Sequence, residues 1–441
     1  MTLSLIALAA LIIQPPAPAP KKPEKPSSSI VRQTLRSGMR LIVAERPNAR
    51  LCTLDLRVRV GVGDEIERTN GMAHAVEHMV FKGSADRQPG KIDNAVETLG
   101  GELSARTTRD ATQFTTTVPA VAWQGALTEL SELTLKAAFR AEDWAAERPV
   151  IESERALLNT DPVRTGIGAL AGAIWDKGEP YSLPLLGTPD RLRGYSADDL
   201  RLFWRKHYLP SHMTLAIAGP VKADEVARAV EALFAAEPEA PMERELRRAV
   251  PREGALALTA TGGIVDAPTN TLVLGWPTPP AADAHSQAVL LLLAELLAPA
   301  PDAGRLAGPL VRARPIARSI TAEIQLQRSG GMFVLTAIAP KKGAEVLEEE
   351  LRSQLKRISE DGFSEDEVIV AQAAVRARLL AEEGSVETLA ARLALYDSLD
   401  AADSADAIVQ RLSMVTATEL TRAIRLFLKE EGRTRVLVGG Q

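Results

Sequence analysis

Residues 70–84 read Asn-Gly-Met-Ala-His-Ala-Val-Glu-His-Met-Val-Phe-Lys-Gly-Ser. His74 and His78 stand four apart, with Glu77 directly before the second. On a helix, positions i and i+4 share a face, so both imidazoles can reach one ion. Glu77 lies one position round and can reach a water near that face. The order His-x-x-Glu-His is one of the recurrent zinc-helix motifs. The plain alternative is a solvated helix bearing two surface histidines. Its flanks argue against that: Gly71, Met72, Ala73, Val76, Met79, Val80 and Phe81 are apolar, so the segment should be buried. Burying two histidines and a carboxylate without a partner is costly. A catalytic zinc needs a third protein ligand and one open position. The stretch 143–161 offers Glu147, Glu152 and Glu154, and spacing alone does not choose among them.

Outward from this helix, residues 41–43 and 51–62 are strand-like, the latter with alternating character. A helix over 91–99 should stop at Gly100-Gly101. A Thr-rich strand pair runs to Pro119, followed by helices over 121–139, 143–158 and 196–207. Pro149 should start or kink the second of these, because it removes a backbone donor. A strand over 213–218 and a helix over 223–234 close the first half. The Pro- and charge-rich segment 237–253 reads as a linker. Strands over 255–259, 270–275, 316–327 and 332–339, helices over 284–297, 345–358 and 365–382, and a last strand over 435–439 follow. Both halves therefore run strands then helices. The expected fold is α+β: two similar domains of about 200 residues, 30–236 and 254–441, each a mainly antiparallel sheet with packed helices. The repeat rests on element order alone.

At 441 residues, with 46% hydrophobic and 25% charged residues, the chain has the composition of a soluble protein of two or more domains. A net charge of −5 gives no basic excess to neutralise phosphates, so nucleic acid is not an expected partner. One cysteine, Cys52, excludes an internal disulfide framework and a multi-cysteine metal cluster. The apolar run 3–13 is too short to span a bilayer and resembles a secretory signal, although no Lys or Arg precedes it. With the Pro-rich stretch after it, residues 1–29 read as signal and spacer. Export, to a periplasm, is the expectation, and the cytoplasm is the alternative if the run is no signal. No later segment reads as a membrane span.

The segment 70–84 resembles the zinc-site helix of the pitrilysin/insulinase family, the inverzincin peptidases. The resemblance continues through Gly100-Gly101-Glu102 and Ser104 to Asp110, similar to the family's substrate-side strand, and through Glu147-Arg148, Glu154 and Asp161-Pro162, similar to its second ligand helix. Pro180-Tyr181, Gly187-Thr188, Tyr208 with Pro210, and Gly219 match later landmarks. The second half is similar more loosely, through Gly275-Trp276-Pro277, Arg305-Leu306 and the run to Ser319. The resemblance implies a clamshell of two domains holding one Zn²⁺ on His74, His78 and Glu154. It implies Glu77 as general base, Glu147 as support behind the ligands, and Ser104, Ala105, Arg106 and Thr107 as the strand that pairs with a peptide substrate. The family's strand motif usually begins with Asn, which Ser104 replaces here.

Single-chain members carry an Arg and a Tyr, seven residues apart, in the second half. Aligning residues 310–319 with that segment puts Val311 and Arg318 at those positions. Neither side chain can fill the role, unless a slipped register lets Arg312 or Arg314 compensate. The chain thus resembles the zinc-bearing subunit of bacterial two-subunit members and of mitochondrial processing peptidase. The expected function is a zinc endopeptidase or oligopeptidase subunit acting on extended or unfolded peptides. Its expected partner is a paralogous subunit with the Arg/Tyr pair, or a second copy. The alternative is a non-catalytic assembly subunit of the same family.

Overall fold

The computed structural model describes residues 29–235, 247–262, 269–299 and 301–439. The apolar run 3–13, the Pro-rich spacer up to residue 28 and residues 236–246 at the start of the expected linker lie outside the described residues. The first sheet comprises β1 (Ile30–Thr34), β2 (Arg40–Glu45), β3 (Leu51–Val58), β4 (Leu103–Thr107), β5 (Thr112–Pro119) and β6 (Met213–Gly219). Their order across the sheet is β1-β2-β6-β3-β5-β4. The second sheet comprises β7 (Leu256–Thr261), β8 (Thr269–Thr278), β9 (Ser319–Gln325), β10 (Gly331–Pro340) and β11 (Thr434–Gly439), in the order β7-β11-β8-β10-β9.

The two sheets share one plan. In each, the first strand of a five-strand unit pairs parallel with the last, as β2 with β6 and β7 with β11, and every other pairing is antiparallel. In each, the third strand ends at a sheet edge, β4 in one and β9 in the other. β1 is an addition to the first sheet. The chain is therefore α+β, with two similar, mainly antiparallel sheets and packed helices. The repeat inferred from element order is also one of strand order and direction.

Strands β3 and β6 are buried nearly throughout, which requires cover on both sheet faces. One face packs against helices of the same half, Met72–Val80 and Trp123–Leu135 among them. The other face is covered from the second half. Ile42, Ala44, Ala216 and Ala218 meet Leu389, Ala390, Leu393 and Ala394 of helix Val386–Ser398. The reverse also holds: Leu170, Ala171 and Ile174 of helix Pro162–Ile174 lie on Val273, Val334, Val436 and Val438 of the second sheet. Close approach there depends on glycine, because a Cβ on Gly275 would come within 2.4 Å of the Leu170 side chain.

Helix Pro162–Ile174 did not emerge from the sequence. Its apolar pattern is interrupted by Gly166, Gly168 and Gly172, which weaken helix propensity. The start signal was nonetheless present. Asp161 caps the helix through Oδ1, accepting from Val163 N and Arg164 N, and Pro162 occupies the first turn. Pro149 neither starts nor ends a helix: Ala141–Leu158 runs through it. Its ring lies on an exposed face, where water can satisfy the carbonyl that lost its donor.

Candidate metal centre

Helix Met72–Val80 begins at Gly71, whose φ of 92° favours glycine. With no capping side chain at Gly71 itself, the first turn takes its cap from a buried carboxylate upstream. Glu65 accepts from Ala73 N at 2.7 Å, Gly71 N at 2.9 Å and the Asn70 amide at 3.1 Å. Burial pushes the Glu65 pKa up to about 7 despite these hydrogen bonds. Eight of the nine residues of this helix are buried, so its histidines are set in the protein rather than in solvent.

His74 and His78 project from successive turns, their ring centroids 4.6 Å apart. Helix Ala141–Leu158 brings Glu154 to the same point. His78 Nε2 lies 3.3 Å from His74 Nε2 and 3.2 Å from Glu154 Oε2, and His74 Nε2 is 3.4 Å from that oxygen. A tetrahedral ion with bonds of ~2.1 Å holds its ligand atoms about 3.4 Å apart. Two imidazole nitrogens and one carboxylate oxygen at this spacing fit zinc, with one position left open. Among Glu147, Glu152 and Glu154, geometry selects Glu154.

Glu147 stands behind His78, 2.7 Å from its Nδ1, and also pairs with Lys82. Burial favours the neutral Glu147 carboxyl, but the hydrogen bonds to His78 and Lys82 outweigh it and the pKa is lowered. Burial also opposes a charged His78, yet hydrogen bonds to Glu147 and Glu154 and the nearby Glu77 raise its pKa to about 9. Hydrogen bonds from His74 and His78 hold Glu154 well below the usual carboxylate range. A metal would replace the proton on His78. His74 differs from His78 on its far side, since its Nδ1 is buried without a hydrogen-bond partner.

Glu77 is buried beside the ligands and outside their set. Its Oε2 accepts a hydrogen bond from Thr107 Oγ1. The four residues expected to bind substrate are divided by the pleat of β4: Ser104 and Arg106 are exposed, Ala105 packs against the core, and Thr107 is buried. β4 pairs only with β5 among the described strands, so its other edge is open. The role of Lys82 was missed, although its place four residues after His78 was a usable signal. Glu65 carries no local signal.

In the second half, Val311 is partly buried against the domain core and Arg318 is exposed. Arg312 donates to Pro301 O at 2.5 Å, and Arg314 pairs with Glu350 at 2.6 Å. Both contacts remain within that half. The arginine that reaches the first half is instead Arg328, in the turn between β9 and β10. Its backbone N donates to Asp110 Oδ2 at 3.1 Å, and its guanidinium lies 3.8 Å from Asp64. Tyr181 joins the group, donating to Asp110 and accepting from Ser329 N at 3.1 Å.

Residues 40–188 match the family model described as Insulinase (Peptidase family M16), and residues 194–375 match that of the Peptidase M16 inactive domain. An uncharacterized zinc protease of Streptomyces coelicolor is 29% identical over 361 residues, covering 79% of this chain and 76% of that protein. A probable mitochondrial-processing peptidase subunit beta of Arabidopsis thaliana is 29% identical over 201 residues, covering 46% of this chain and 38% of that one. A protease from Helicobacter pylori has the same fold, with a TM-score of 0.84, 19% identity, and coverage of 93% of this chain and 99% of its own. No helix among the described residues is long and apolar enough to cross a membrane.

Proposed function

This chain belongs to the insulinase family of peptidases, family M16, and from that premise we propose that it is a zinc-dependent endopeptidase or oligopeptidase subunit. One observation carries the reading: His74, His78 and Glu154 converge at zinc spacing while Glu77 is held just outside them. Relatives named as zinc proteases support peptide-bond hydrolysis as the reaction class. Zinc, when bound, supplies a Lewis acid that makes water nucleophilic near neutral pH. Glu77 takes the proton of the attacking water on its carboxylate and passes it to the leaving amine. Glu147 holds His78 by Nδ1, leaving Nε2 for the ion. An extended peptide adds to the open edge of β4 through backbone hydrogen bonds. Such binding reads chain conformation more than sequence, which suits unfolded or short substrates.

The lack of an Arg/Tyr pair at Val311 and Arg318 supports a paralogous partner subunit that carries one, with a second copy of this chain as the other arrangement. The apolar run 3–13 supports export to a periplasm; the chain is cytoplasmic if that run is no signal. The second reading, a non-catalytic assembly subunit, draws on the match of residues 194–375 to an inactive-domain model.

Metal analysis and peptide cleavage on the wild-type chain and Glu77→Gln separate these. One zinc per chain in both proteins, with cleavage lost by about 10²-fold or more in Glu77→Gln, is the expected result. A wild-type chain without zinc sinks the enzyme reading. Cleavage by the chain alone, at a rate no co-purifying partner changes, sinks the paired-subunit reading.

A further inference from the structure

Thr107 ends β4, and its side chain is 4% exposed. Its Oγ1 donates to Glu77 Oε2 at 2.5 Å, the one side-chain hydrogen bond that the Glu77 carboxylate receives among the described residues. Glu77 directly precedes the ligand His78, yet it stands apart from the group formed by His74, His78 and Glu154. A carboxylate so close to two ligand imidazoles has two competing fates: to join the ligands or to turn away from them. The hydroxyl that meets this carboxylate comes from a different element, β4, and not from the ligand helix. Thr107 is paired with Thr112 across the hairpin, and the turn that follows is closed by Thr108 N donating to Ala111 O at 2.8 Å.

We propose that Thr107 is a positioning residue: its hydroxyl fixes the Glu77 carboxylate for proton transfer and keeps it out of the metal's ligand set. This rests on the zinc-peptidase reading and assigns to Thr107 a role different from contact with substrate. It also places the base's support on the strand along which the peptide would lie.

The test compares wild type, Thr107→Val and Thr107→Ser in the full chain, with any partner that co-purifies. Valine keeps the shape and removes the donor, whereas serine keeps the donor. In Thr107→Val, kcat is expected to fall about tenfold to a hundredfold, the range for a lost hydrogen bond to a charged group. KM should stay within about twofold, because the loss falls on the chemical step. Zinc affinity by chelator competition should not fall, and Thr107→Ser should recover most of kcat. An unchanged kcat in Thr107→Val overturns the proposal, as does an equal loss in both variants. Weakened zinc binding in Thr107→Val also overturns it, because Thr107 would then support the ligands rather than Glu77. A wild-type chain that binds no zinc fails earlier and overturns the underlying peptidase reading.

Discussion

His78 uses both ring nitrogens, Nε2 toward the ligand point and Nδ1 toward Glu147. Glu147 is in turn charged and anchored by Lys82. This chain of contacts sets the ring's orientation and tautomer, the usual task of a carboxylate behind a metal-bound histidine. His74 has no such support at Nδ1, and its polar contacts are made through Nε2, toward His78 and Glu154. Glu147→Gln should therefore weaken zinc binding by about 10- to 100-fold, measured by chelator competition. An affinity equal to wild type would show that His78 keeps its orientation without the Glu147 carboxylate. Of the four residues proposed to do the chemistry, His74, Glu77 and His78 were legible in the spacing of the segment 74–78 and the apolarity of its flanks. Glu154 needed the resemblance, because a ligand on a separate helix has no fixed spacing.

The helix Met72–Val80 is a short element whose start is secured at a distance. Glu65, six residues before Gly71, spans the N-terminal turn with both carboxylate oxygens. Its pKa is raised from 4.5 to about 7, chiefly by burial. An acid whose folded value is raised stabilises the fold fully below its unfolded value. That contribution is lost as pH rises through the folded value. Unfolding free energy should thus fall between about pH 4.5 and 7 by up to about 3 kcal/mol on account of this group. Chemical denaturation across that range should show the slope in wild type, and Glu65→Gln should flatten it. An identical slope in both proteins would assign it to other groups. Helix Ala141–Leu158 makes a complementary point. Glu147 and Glu154 need one continuous face, and an exposed Pro149 does not interrupt it.

Across the whole molecule the halves are interlocked rather than merely tethered. Each sheet has its outer face covered by a helix of the other half. We propose the division 30–236 and 254–441 as one of repeated element order, and expect neither part to fold alone. Residues 29–235 expressed by themselves should aggregate or unfold without cooperativity, while co-expression with 247–439 should restore a soluble complex. Cooperative unfolding of the first part alone would contradict this. The halves also meet at the tips of equivalent hairpins, β4–β5 and β9–β10, where Asp110 receives Tyr181 OH and Arg328 N. Asp110 and Arg328 are 3% and 6% exposed. Removing one partner of such a buried group leaves the others unsatisfied, so Asp110→Ala should cost roughly 3–5 kcal/mol in urea denaturation. A loss below about 1 kcal/mol would reduce the joint to a surface contact.

Sequence alone determined the periodic, local features: the His-x-x-Glu-His face, most strands and helices, and the repeat in their order. Each depends on side-chain spacing along one element, which the chain carries wherever it folds. Only the tertiary structure decided the rest. It brought Glu154 to the two histidines, set Thr107 on Glu77, brought Glu65 under the helix start and Arg328 to Asp110, and exchanged helices Pro162–Ile174 and Val386–Ser398 between the sheets. These are contacts between groups far apart in sequence. They are set by which apolar faces find cover and which buried polar groups find partners, and no local spacing encodes that outcome.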